Sequence, residues 1–129
     1  MEEKTVEEYC RVIKKLGGSG EARSADIARA LGLSRNTVAL TLKKLVEEGF
    51  IEKERYGTVR LADKGTLVAK KMDFRHRVLE SFLFTKLKMD SRSVHREACA
   101  MEHAVSDEMI ERLYQFIGRP RTDPHGRKI

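Results

Sequence analysis

His95, Cys99, Glu102 and His103 fall within one short segment whose apolar residues carry a helical period. Counted from Cys99, the other three stand four residues before, and three and four residues after. At about 100° per residue, one helix gathers all four side chains on a stripe about a quarter-turn wide. Imidazole, thiol and carboxylate on one face are donors for first-row transition metals, and costly neighbours in a core without a cation among them. His76 and Glu80 repeat the four-residue spacing on the preceding segment. Any fold of this chain must therefore bring several metal donors together. This mixed donor set suits Fe(II), Zn(II), Co(II) or Ni(II) better than Mg or Ca, whereas Mn(II) prefers oxygen to sulfur.

The 129 residues suffice for one domain or two small ones. No run approaches the roughly 18 apolar residues of a membrane span. Glu2, Glu3, Glu7 and Glu8 stand where a secretory signal would carry basic residues. Cys10 and Cys99 are too few for a disulfide framework. The expectation is a cytoplasmic protein with no membrane partner. A formal net charge of +6 favours a polyanionic partner.

Along the chain, Val6, Tyr9, Val12, Ile13 and Leu16 predict a first helix ended by Gly17, Gly18 and Gly20. Ser24 is placed to cap a short helix with Ile27, Ala28 and Leu31 inward, and Gly32 ends it. Ser34 is placed to cap a third helix, 35–48, with Val38, Leu42, Leu45 and Val46 inward. Two short helices joined by a tight turn make a helix-turn-helix. Strands at 50–54 and 58–61 around Arg55-Tyr56-Gly57 add a hairpin, which completes the order of a winged helix. A long helix then runs from Asp63 to about Leu83, a polar loop covers 86–91, the donor-bearing helix spans 93 to about 105, and a last helix follows at 107–117. The tail, 118–129, reads as an extended terminus in which His125 is a turn residue.

In a helix-turn-helix, the amino end of the second helix enters the major groove. Ser34, Arg35, Asn36 and Thr37 occupy that end, and Thr41 follows one turn later. Arg35 or Asn36 can reach base edges, while the amides and hydroxyls there suit phosphate. Arg55, Tyr56 and Arg60 arm the hairpin, and Lys43 and Lys44 suit phosphate or solvent. The His-Glu-x-x-His motif of zinc hydrolases is absent, as are a phosphate-binding glycine loop, a nucleophile elbow and a Cys-x-x-Cys pair. The pattern predicts a protein that is not an enzyme. Two alternatives are a winged-helix regulator sensing thiol oxidation at Cys99 and a helical zinc enzyme.

Taken together, these stretches resemble the diphtheria toxin repressor family of iron- and manganese-dependent transcription regulators. The resemblance rests on Ser24-Ala25-Asp26-Ile27-Ala28, Leu42-Lys43-Lys44-Leu45, Val59-Arg60-Leu61 and His76-Arg77. Above all it rests on Val94-His95-x-Glu97-Ala98-Cys99-x-x-Glu102-His103-x-x-Ser106-Asp107. It implies a mainly α fold, a winged helix-turn-helix (1–72) followed by an all-helical metal-binding and dimerisation domain (73–129). It also implies a homodimer, one or two per double-stranded DNA operator, that represses metal-homeostasis genes when activated by Fe(II), with Mn(II) as the alternative and Zn(II), Co(II) or Ni(II) as substitutes in vitro. The regulatory ion of the family would fall to Glu8, Cys99, Glu102 and His103, and a second ion to His76, Glu80 and His95. Cys99 matches iron sensors, whereas the acid at Glu8 leans to manganese. Leu40 stands where some relatives carry a polar residue near DNA, and Arg11 where manganese sensors carry an acid. Many members have a further SH3-like domain that can supply ligands to the second site.

Overall fold

A computed structural model of the chain describes residues 1–18 and 20–129. It divides into two compact units, Met1–Lys70 and Lys71–Ile129. The first contains α1 (Glu3–Gly17), β1 (Ala22–Arg23), α2 (Ser24–Leu31), α3 (Arg35–Glu47), β2 (Ile51–Lys53) and β3 (Thr58–Leu61). The helix α4 (Asp63–Thr85) begins in this unit and continues into the second, which adds α5 (Ser91–Met101) and α6 (Asp107–Phe116). Among the described residues, no helix is long and apolar enough to cross a membrane.

The core of the first unit follows the helical periods of its sequence. Val6, Tyr9, Cys10 and Ile13 of α1 pack with Ile27 and Ala28 of α2 and with Val38, Leu42 and Leu45 of α3. Val46, expected inward, is 37% exposed. It lies about 80° round the helix from Val38, at the edge of the buried stripe. Gly32, at φ 66°, turns the chain between α2 and α3 in a left-handed conformation. Ser34 caps α3, its Oγ accepting the Thr37 amide at 3.1 Å. Ser24 does not cap α2: the helix starts on Ser24 itself, and Arg23 at the cap position makes no side-chain bond. The reason is a strand the periodicity did not reveal. Arg23 pairs with Thr58 and Ala22 with Val59, so β1 fixes the extended backbone one residue earlier than expected. The sheet is antiparallel in the order β1-β3-β2, with β2 opposite β3 from Ile51↔Leu61 to Lys53↔Val59. At the hairpin tip, Tyr56 (φ 61°) and Gly57 (φ 70°) are both left-handed.

In the second unit, Val78, Leu79 and Leu83 of α4 pack with Val94, Ala98 and Ile110. The helix α5 is displaced from its expected span. Asp90 caps it, accepting from the amides of Arg92 and Ser93, so it starts at Ser91 and the expected loop is shorter. It ends at Met101, leaving Glu102 and His103 in the turn that follows. The tail is folded rather than extended. Thr122 and Lys128 form a β-bridge, and the buried Asp123 accepts from the amides of His125 (2.9 Å) and Arg127 (2.8 Å). Arg77 donates to the Lys128 carbonyl at 2.7 Å, and Ile129 packs on the core.

The entry to α4 depends on a close backbone approach. The Ala62 amide donates to the Phe50 carbonyl, and a Cβ placed on Gly65 would stand 2.1 Å from that same oxygen. Gly65→Ala should therefore destabilise the protein by about 2 kcal/mol, within the usual cost of overpacking. Urea unfolding checks this; an unchanged midpoint would refute the close approach.

Candidate metal centre

The donors converge because α4 carries two buried polar residues one turn apart. His76 is 1% exposed and Glu80 is fully buried. His76 Nδ1 lies 2.6 Å from Glu102 Oε1. A carboxylate only accepts, so Nδ1 is the donor of this bond, and Nε2 makes no hydrogen bond. That Nε2 lies 3.1 Å from Glu80 Oε1. Glu80 Oε2 in turn lies 3.6 Å from His95 Nδ1 and 3.8 Å from His125 Nδ1. The other nitrogen of His95, Nε2, is 3.7 Å from Cys99 Sγ. The rings of His76 and His95 meet edge to face, 5.0 Å apart.

Arg75, adjacent to His76, holds the turn after α5. One guanidinium nitrogen donates to the Glu102 carbonyl at 3.1 Å and another to Asp107 Oδ1 at 2.7 Å. That hydrogen bond, opposed by a little burial, holds the Asp107 carboxyl below its usual range, with Lys71 adding to the effect. The carboxylate of Glu102 also faces His103, Oε2 to Nε2 at 3.9 Å.

Two donor sets result, each with its ligand atoms within 4.8 Å of one another: His76, His95 and Cys99, and Glu80, Asp123 and His125. His76 Nε2, both Glu80 oxygens and Asp123 Oδ2 are buried without a hydrogen-bond partner. Lone pairs facing one another out of water are costly. A divalent cation relieves that cost, and imidazole with carboxylate is a donor set that Fe(II) and Mn(II) accept. The residues present fit a metal.

Of the ligands expected from sequence, His76, Glu80, His95, Cys99, Glu102 and His103 share one unit and form a continuous run of contacts. Glu102 and His103 do so from a turn, not from the donor helix, which ends where Arg75 takes the Glu102 carbonyl. Glu8 belongs to the first unit, on α1, with its carboxylate 3.9 Å from Lys4 Nζ. Asp123 and His125 were missed as donors. Pro124 and Gly126 mark the turn that carries them, and an acid and an imidazole two residues apart were the available signal.

In the first unit, Ser34, Arg35, Asn36 and Thr37 are exposed at the start of α3. The Ser34 hydroxyl donates to Thr37 Oγ1 at 2.9 Å, which fixes both side chains. Thr41 is half-buried, and Leu40 is 66% exposed on the same helix. Arg55 and Tyr56 stand at the hairpin tip, Tyr56 95% exposed, whereas Arg60 is engaged by Glu52 and Glu54.

Comparison with known proteins agrees with this arrangement. Residues 62–129 match the family described as "Iron dependent repressor, metal binding and dimerisation domain", and residues 3–63 match a domain family of unknown function. The chain belongs to the iron-dependent repressor family, the diphtheria toxin repressor class of metal-dependent transcription regulators. Its fold is a mainly α winged helix followed by a helical metal-binding and dimerisation domain. Among relatives, the chain is similar to the transcriptional regulator MntR of Escherichia coli, 36% identical over 95% of this chain and 76% of that protein. It is also similar to the iron-dependent repressor IdeR of Mycobacterium tuberculosis, 31% identical over 97% of this chain and 55% of that protein. Among solved structures it resembles a manganese-dependent transcriptional repressor in complex with manganese. The TM-score is 0.87 and the identity 35%, over 96% of this chain and 57% of the other. The manganese regulator SloR gives a TM-score of 0.83 and 32% identity over 96% of this chain, which spans 58% of SloR.

The two cysteines should differ sharply in reactivity. Burial pushes the Cys10 thiol up to about 12, whereas Cys99 is exposed. Against an ordinary thiol near 8.5, Cys10 holds on the order of a thousandfold less thiolate at neutral pH. Ellman's reagent should titrate one thiol in the native protein and two after unfolding. Two fast thiols in the native protein would contradict the placement of Cys10.

Proposed function

We propose that the chain is a homodimeric transcriptional repressor whose hold on a double-stranded DNA operator is set by a divalent metal. Fe(II) is the first choice of ion and Mn(II) the alternative. The observation that supports this most is the group of buried, unpartnered donor atoms on His76, Glu80 and Asp123 in a unit whose family is named for metal binding. The relatives include an iron-dependent repressor and a manganese-dependent one. The thiolate of Cys99 favours iron over manganese, because sulfur is a soft donor. Binding at Cys99 ionises the thiol, so metal affinity should weaken as pH falls.

Cys99, Glu102 and His103 would hold the regulatory ion. Glu8 joins that set on the family resemblance alone. A second ion would fall to His76, Glu80 and His95, with Asp123 and His125 of the tail close enough to Glu80 to join it. The DNA reader would be Ser34, Arg35, Asn36, Thr37 and Thr41 on α3, with Arg55 and Tyr56 on the hairpin. Metal at a hundredfold its dissociation constant contributes about 2.7 kcal/mol to a state that alone binds it. Coupled to DNA binding, that is roughly a hundredfold in operator affinity.

An anaerobic gel shift with Fe(II), Mn(II) or chelator tests the reading. Either ion should raise operator affinity up to about a hundredfold, and equal binding in chelator would overturn the proposal. Glu102→Gln and His103→Ala should abolish the metal response, and Glu8→Ala should weaken or abolish it. His76→Ala should reduce it only in part. Three responsive variants at positions 76, 102 and 103 would defeat the ligand assignment.

A further inference from the structure

We propose that the groove between α3 and the β2–β3 hairpin of the winged-helix unit is a binding site for a medium-chain aliphatic carboxylate. Its volume is about 530 Å³, within the roughly 300–1,000 Å³ of small-molecule sites. It lies wholly in the first unit and shares no residue with the metal donors, so it stands apart from the metal reading.

Two residues that the structure takes out of their expected roles line this groove. Val46 leaves the core stripe and Ser24 does not cap α2, and both border the same space. On α3, Ala39, Leu42 and Val46 are spaced by three and four residues and make one apolar strip. Leu42 and Val59 of β3 are buried and floor the groove, while Ala39 and Val46 are exposed and form its wall. Exposed methyl groups gathered in a concave site are what an apolar ligand covers. Among the described residues, no aromatic ring lines it. Nothing there stacks on a flat ring, so an alkyl chain fits these walls better than an arene.

The charge at the rim decides the other end of the ligand. Lys43 of α3 and Lys53 of β2 both border the groove and are exposed, and Glu47 is the one carboxylate facing them. Two cations against one anion favour a negative headgroup. The Thr58 hydroxyl is engaged, donating to the Arg55 carbonyl at 2.8 Å. An alkyl chain laid along the strip covers its methyl groups, and a carboxylate at the lysines keeps every charge at the solvated rim.

Decanoate added to the full chain below its micelle concentration, followed by carbon–proton methyl spectra, tests this. Saturable shifts should appear at the methyls of Ala39, Leu42, Val46 and Val59. Those of Val78, Leu79 and Val94 in the helical unit should stay in place. Octanoate should bind on the order of tenfold more weakly, since each buried methylene contributes a few-fold in affinity. Octylammonium, equal in length and opposite in charge, should not displace octanoate. The double variant Lys43→Gln, Lys53→Gln should weaken decanoate several-fold, and Val46→Asp should abolish binding. These three positions are exposed, so the variants should fold, and urea unfolding checks that they do. Binding that survives Val46→Asp, displacement by octylammonium, or methyls that do not respond overturns the proposal. Shifts of the same methyls on raising protein concentration without ligand would assign the groove to a second copy of the chain, and would overturn it too.

Discussion

The contact between His76 Nδ1 and Glu102 Oε1, 2.6 Å between two buried groups, is what the helical unit depends on. Burying an imidazole and a carboxylate costs several kcal/mol unless each finds a partner. Their mutual bond offsets part of that cost, and Arg75 adds to it by holding the Glu102 carbonyl. Together the two contacts tie α4 to the turn after α5. The bond also leaves Nε2 as the nitrogen of His76 without a hydrogen bond. A hydrophobic pair at these positions could be as stable or more so, because buried ionic groups contribute little net stability. It would leave no donor.

The winged-helix unit follows a different economy. Its core is mostly apolar, with Ile13, Ile27, Val38, Leu45 and Ile51 almost wholly buried, and its polar groups at the start of α3 face outward. The helical unit instead carries buried metal-donor atoms lacking hydrogen bonds on His76, Glu80 and Asp123. A cation that satisfies them stabilises the state that presents them, and this is the thermodynamic basis for coupling ion occupancy to any other property of that state.

Much of this was legible in the sequence where the cause is local. The stripe of Val38, Leu42 and Leu45 follows from helical period, and the cap at Ser34 from a hydroxyl preceding a periodic run. The four-residue spacing of His76 and Glu80 placed both on one face of a helix. The misreadings have distant causes. β1 is two residues long and exists only because Ala22 and Arg23 meet β3, more than thirty residues away. The end of α5 at Met101 coincides with the Glu102 carbonyl turning to Arg75, a contact 27 residues apart in sequence. The tail folds back because Asp123 gathers two amides and Arg77 takes the Lys128 carbonyl. Period and capping rules see none of these.

His95 sets one ring between two kinds of metal donor. Its ring lies between two chemistries, with Nε2 toward the Cys99 thiol and Nδ1 toward the Glu80 carboxylate. The sulfur suits a soft ion and the carboxylate a hard one, so the two sides of this imidazole differ in the chemistry they offer. Sequence spacing alone, which puts every donor on one stripe, gives no hint of this opposition; the orientation of a single ring creates it.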